Sequence, residues 1–127
     1  MLRVLIADDE QVIADSLAAV LRQFGYETTT AYDGKTALEK ARSFEPDFLL
    51  TDVMMPGLNG IELAIQIREM LPACKVILFS GMAVTSDLVD DAESRGHYFE
   101  VLAKPIQPKA LLAYLTGTVS GPDHPNR

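Results

Sequence analysis

Phe48-Leu49-Leu50-Thr51 is a short apolar run, and it opens directly onto Asp52-Val53-Met54-Met55-Pro56-Gly57. Four residues of this kind, bounded by a turn that contains Pro and Gly, predict a β-strand covered on both faces. Leu2–Ala7, Tyr26–Ala31, Lys75–Ser80 and Phe99–Ala103 also read as strands, and three of the five are nearly unbroken apolar runs. Stretches at helical spacing separate them. Ile13, Leu17, Val20, Leu21 and Phe24 follow the i, i+4, i+7, i+8 pattern of a buried helix stripe, with Gly25 at the expected C-terminal position. Further helices are predicted over about 34–43, 60–71, 85–95 and 108–118. Strands alternating with helices predict one α/β domain with a parallel sheet. That domain is expected over residues 1–119. Residues 120–127, with Gly121, Pro122 and Pro125, read as a disordered tail.

The bulk properties agree with a single globular unit. The chain has 127 residues, 48% of them apolar and 23% charged, which fits neither a disordered nor a disulfide-scaffold protein. Lys plus Arg number 11 against 18 Asp plus Glu, a formal charge of −7. A polyanion is repelled by such a balance, so direct nucleic-acid binding is not expected. Cys74 is the single cysteine and cannot form an internal disulfide. No charged-then-apolar leader precedes Asp8, and no apolar run approaches bilayer-spanning length. A cytoplasmic protein without membrane contact is the expectation.

Ligands of open parallel sheets bind outside the carboxyl ends of the strands. Asp8-Asp9 follow the first strand, Asp52 the third, Ser80 ends the fourth and Lys104-Pro105 follow the fifth. Each residue alone has an ordinary explanation: an Asp can cap a helix, a Ser can make a turn, a Lys can be solvated. Together they place three carboxylates, a hydroxyl and an ammonium on one sheet edge.

The combination Asp8-Asp9, Asp52 with Met54-Met55-Pro56-Gly57, Ser80-Gly81 and Lys104-Pro105 resembles the response-regulator receiver domain of two-component signalling, of the chemotaxis-regulator type. The resemblance runs over about residues 2 to 118. It implies a flavodoxin-like (βα)5 fold, with five parallel strands in the order 2-1-3-4-5 and helices on both faces. It also implies phosphoryl transfer to Asp52 from a histidine kinase, a phosphotransfer protein or a small phosphodonor. The protein would then catalyse only its own phosphorylation and dephosphorylation.

Three clustered carboxylates need a counter-charge, and a few oxygen ligands of high charge suit Mg²⁺. By the resemblance its ligands are Asp9, Asp52 and the backbone carbonyl of Met54, with Asp8 contributing directly or through water. Asp8 as a plain helix cap is the alternative. Lys104 is expected to pair with Asp52 before transfer and with a phosphoryl oxygen afterwards. A cis Lys104-Pro105 bond would aim it into the pocket. Ser80 would donate its hydroxyl to the phosphoryl group, with Gly81 leaving space. The switch would then reach protein partners through the face of helix 4, strand 5 and helix 5, on a monomer or a phosphorylation-dependent dimer.

The sequence departs from the family in one place that matters. Receivers usually carry Tyr or Phe three residues before the lysine, and here that residue is Val101. Phe99 reads as core, and Tyr98 is left open as a displaced ring. Met54 and Met82 lie two residues beyond Asp52 and Ser80, and are either inert rim residues or a hindrance to the water that would hydrolyse a phospho-Asp52. Asp87, Asp90, Asp91 and Glu93 form either a solvated helix face or a surface for a basic partner. Two other functions compete: a receiver-like scaffold without phosphorylation, encouraged by Val101, and a phosphatase with an aspartyl nucleophile. The adjacent Asp8-Asp9 and the short chain speak against the phosphatase.

Overall fold

All five residues of Phe48–Asp52 are buried, and their side chains alternate between two cores. Phe48 and Leu50 join one cluster, while Leu49 joins the other. The strand is therefore central, with helices on both faces. The computed structural model describes residues 1–81 and 85–117. In chain order the elements are β1 (Arg3–Ala7), α1 (Gln11–Gln23), β2 (Glu27–Ala31), α2 (Gly34–Phe44), β3 (Phe48–Asp52), α3 (Gly60–Met70), β4 (Lys75–Ser80), α4 (Thr85–Ser94), β5 (Glu100–Ala103) and α5 (Pro108–Thr116). The strands are parallel and lie in the order β2-β1-β3-β4-β5, as expected. Strand and helix limits fall within two residues of the expected ones where described. The expected end of the last helix at Thr118, the tail at 120–127 and Met82 lie outside the described residues.

Helices α1 and α5 cover one sheet face over Val4, Ile6, Ile77 and Phe79, and α2, α3 and α4 cover the other over Leu5, Leu78 and Val76. Each fully buried side chain of this size contributes about 1.5–3 kcal/mol. Phe24 is a correction. It is 62% exposed because α1 has ended: Phe24 is the C-cap, and Gly25 takes the left-handed conformation (φ 92°) that turns the chain away. The buried stripe of α1 is completed instead by Ala14 and Ala18. Phe99 is core, with the Arg68 guanidinium 4.2 Å over its ring, whereas Tyr98 is 64% exposed. Among the described residues no helix is long and apolar enough to cross a membrane.

Caps set two helix starts. Asp33 Oδ1 accepts the Thr36 N–H at 2.7 Å for α2, and Asn59 Oδ1 accepts the Glu62 N–H at 3.0 Å for α3. Asn59→Ala is expected to lower stability by about 0.5–2 kcal/mol in urea unfolding. Cys74 is buried, and burial pushes its thiol up to about 12. Iodoacetamide at pH 8 is accordingly expected to alkylate the native protein far more slowly than the urea-unfolded chain; equal rates would contradict this burial.

Candidate functional site

Parallel strands deliver their C-terminal residues to one edge, and the strand order decides which residues meet there. β1 and β3 are neighbours, so Asp8 and Asp52 sit side by side. Backbone bonds hold the ends in place: Asp8 N–H donates to Ala31 O at 3.1 Å, Val53 N–H to Phe79 O at 3.1 Å, and Lys104 N–H to Ser80 O at 3.0 Å. Gly60 brings the start of α3 against this edge, because a Cβ there would collide with the Asp52 carbonyl oxygen. Its N–H donates to Val53 O at 2.9 Å. The aliphatic stem of Lys104 runs beside Gly81.

Carboxylate oxygens of Asp8, Asp9 and Asp52 all lie within 4.8 Å of one another. Asp8 and Asp52 are buried, and Asp9 is exposed. Neither Asp8 nor Asp9 caps α1: the cap position is Glu10, whose side chain makes no capping bond. Asp8 Oδ1 instead accepts the Glu10 N–H at 2.9 Å. Lys104 Nζ donates to Asp52 Oδ2 at 3.0 Å and pairs with Asp8 Oδ2 at 3.2 Å. Asp8 Oδ2 is fully buried and accepts no well-directed hydrogen bond, so the ion pair with Lys104 is its sole compensation among the described residues. Met54 N–H approaches Asp52 Oδ1 at a long 3.4 Å, and the Met54 side chain is 46% exposed at the rim.

Burial pushes the Asp8 carboxyl above its ordinary range, against the Glu10 N–H bond and the Lys104 charge, and the Asp52 charge adds to the rise. For Lys104, burial alone would pull the ammonium down. The hydrogen bond to Asp52, then the charges of Asp52 and Asp8, outweigh it, so its pKa is raised and the ammonium stays charged at neutral pH. An acidic pocket closed by one ammonium is thus built from β1, β3 and β5.

A family model for the response regulator receiver domain matches residues 4–116. The chain belongs to that family. The DNA-binding response regulator MtrA of Mycolicibacterium paratuberculosis is 34% identical to this receiver over 111 residues, 87% of the chain and 48% of the relative. The Bacillus subtilis alkaline phosphatase synthesis transcriptional regulatory protein PhoP is 32% identical over 111 residues, 87% of this chain and 45% of the relative. Among solved structures, Vibrio cholerae chemotaxis protein CheY4 superposes with TM-score 0.81 at 28% identity, over 94% of this chain and 99% of that one. Thermotoga maritima TrrA, solved in complex with Mg²⁺-BeF, superposes with TM-score 0.78 at 32% identity, over 94% of this chain and 100% of that one.

The receiver spans about half the length of the curated relatives it matches. This corrects the expectation that nucleic acid is excluded as a partner. The first-mentioned relative is a DNA-binding regulator about twice as long, so the −7 charge describes a receiver portion and says nothing about DNA contacts made by another part of such a protein.

The structure brings together Asp8, Asp9, Asp52 and Lys104 among the expected site residues, with Ser80 at the end of β4 beside them. The Lys104-Pro105 bond is cis. Val101 is 40% exposed on β5, and neither Phe99 nor Tyr98 adds a ring to the site. Glu10 was not anticipated: its Oε1 lies 3.8 Å from Lys104 Nζ. The available signal was its place directly after Asp8-Asp9, which reads equally well as an ordinary helix start.

The raised Asp8 pKa has a consequence for stability. The folded state binds more protons than the unfolded chain between the ordinary value of 3.8 and the raised one. Stability therefore falls as pH rises through that window, and the loss persists at neutral pH. In divalent-free buffer, Asp8→Asn is expected to raise the melting temperature by a few degrees at pH 7 and to flatten its pH dependence. A melting temperature lowered at pH 7 but not at acid pH would show that the Asp8 charge is net stabilising.

Proposed function

We propose that this receiver is a phosphoacceptor in which Asp52 takes a phosphoryl group from a histidine kinase or a small phosphodonor, and that the resulting change of conformation is read by protein partners. The observation that carries this reading is the 3.0 Å bond from Lys104 Nζ to Asp52 Oδ2 inside a three-carboxylate pocket. A carboxylate held against an ammonium is oriented for attack on phosphorus, and the same ammonium can follow the phosphoryl oxygen after transfer. One Asp52 oxygen forms the new O–P bond, while the donor's bond to phosphorus breaks and its leaving group departs with the electron pair. The group stays on the protein until hydrolysis, so there is no turnover of a separate substrate.

The residues fit Mg²⁺. Three carboxylate oxygens lie within 4.8 Å, and the buried Asp8 Oδ2 has only the ion pair with Lys104 to offset its burial among the described residues. Asp9, Asp52 and the Met54 carbonyl would hold the ion, with Asp8 reaching it directly or through water. When bound, it supplies positive charge to the phosphoryl oxygens. Ser80, whose carbonyl accepts the Lys104 N–H, would donate its hydroxyl to the phosphoryl group. Val101 has no hydroxyl to relocate, which supports a switch that runs through Ser80 and Lys104 without a moving ring. Met54, exposed at the rim, is read as limiting the approach of hydrolytic water. A kinase donor places the receiver in the cytoplasm.

Incubation with acetyl phosphate and Mg²⁺ is expected to give one phosphoryl adduct by intact mass. Asp52→Asn is expected to give none, and EDTA to abolish the adduct on the parent. Absence of the adduct on the parent, with the cation demonstrably bound, would overturn the reading.

A further inference from the structure

Lys104 faces a third carboxylate besides those of Asp52 and Asp8. Glu10 Oε1 lies 3.8 Å from Lys104 Nζ, with its side chain 64% exposed where those of Asp52 and Asp8 are almost or wholly covered. Glu10 is therefore the outward carboxylate of the group, at the mouth of the pocket. It is structurally uncommitted. It occupies the N-cap of α1 without a side-chain capping bond, and its backbone N–H, not its carboxylate, bonds Asp8 Oδ1 at 2.9 Å.

The charge count at the mouth is unfavourable to anions. Asp8, Asp9, Asp52 and Glu10 carry four formal negative charges against the one positive charge of Lys104. A bound divalent cation leaves one negative charge in excess. Without Glu10 none is left. A phosphoryl oxygen that engages Lys104 Nζ comes within roughly 7 Å of the Glu10 carboxylate, which lies 3.8 Å from the same nitrogen. Repulsion there scales with the charge of the donor and acts through solvent, so it is screened by salt.

We propose that Glu10 is a specificity-determining residue for the phosphodonor: its carboxylate disfavours dianionic small donors relative to donors of lower charge. The inference rests on the phosphoacceptor reading of Asp52. With acetyl phosphate, a dianion, the Asp52 oxygen bonds phosphorus, the P–O bond breaks and acetate leaves with the electron pair. With phosphoramidate, a monoanion whose nitrogen already carries the extra proton, the P–N bond breaks and ammonia leaves. The transferred group and its acceptor are the same in both reactions, so the two donors differ chiefly in the charge they bring past Glu10.

The test compares the wild-type chain with Glu10→Gln and Glu10→Lys, each with Mg²⁺, timing adduct formation by intact mass with the two donors at low and high sodium chloride. At low ionic strength, Glu10→Gln is expected to accelerate modification by acetyl phosphate about two- to five-fold and by phosphoramidate less. Glu10→Lys is expected to extend the trend. The gain is expected to shrink towards 1 M salt, where the screening length is about 3 Å. A melting temperature unchanged in Glu10→Gln would confirm that the fold is not the cause. An equal gain with both donors, no gain, a loss, or a gain insensitive to salt would each overturn the proposal. Failure of the wild-type chain to form an adduct with either donor would overturn the phosphoacceptor reading and this inference with it, whereas an adduct without the charge-ranked response overturns this inference alone.

Discussion

A single ammonium holds the functional edge of this receiver together. Lys104 follows β5, the edge strand, yet its Nζ lies 3.0 Å from Asp52 at the end of β3 and 3.2 Å from Asp8 after β1. Strands of a sheet lie about 4.7–4.9 Å apart, so the side chain must cross the end of β4 to make these contacts. Only a long, flexible stem does this. Its methylenes pass beside Gly81, 3.4–3.9 Å from where a Cβ there would sit, which is an ordinary contact. The ammonium accounts for why buried like charges are tolerable at all: without Lys104, Asp8 and Asp52 would be two desolvated carboxylates in one pocket.

This arrangement ties stability to function. The pocket concentrates three carboxylates, a charge suited to a cation, and the ammonium of Lys104 offsets part of it. A site that binds anything positive will therefore be stabilised by it, by mass action. The close approach of α3 through Gly60 places the backbone of Asp52 against a helix start. On the other side, β5 presents an exposed Val101 in place of the ring that most receivers carry.

The residues most legible in the sequence were those whose role is set by chain position. A carboxylate directly after a buried strand must lie at the sheet edge, so Asp8, Asp52, Ser80 and Lys104 could be placed before any coordinates. Charge was legible in amount but not in meaning. The total of −7 belongs to the receiver domain, and a relative about twice as long is named as DNA-binding, so charge alone does not exclude nucleic acid as a partner. Phe24 was misplaced because helical periodicity alone does not locate the last turn, which Gly25 and the C-cap geometry decide. Tyr98 and Phe99 are adjacent residues just before β5 with opposite environments: Phe99 packs into the core beneath Arg68, whereas Tyr98 is 64% exposed.

The sequence by itself determined the α/β class, the five parallel strands and the gathering of acids, hydroxyl and lysine on one edge, because alternation of apolar runs and residue order along the chain suffice for these. The tertiary structure alone decided which of those groups touch. Strand order places β1 beside β3, and the reach of Lys104 selects Asp52 and Asp8. Glu10, at the N-cap of α1, stays exposed 3.8 Å from the same ammonium. Distances between side chains on non-adjacent strands depend on packing across the whole sheet, and no local pattern of residues encodes them.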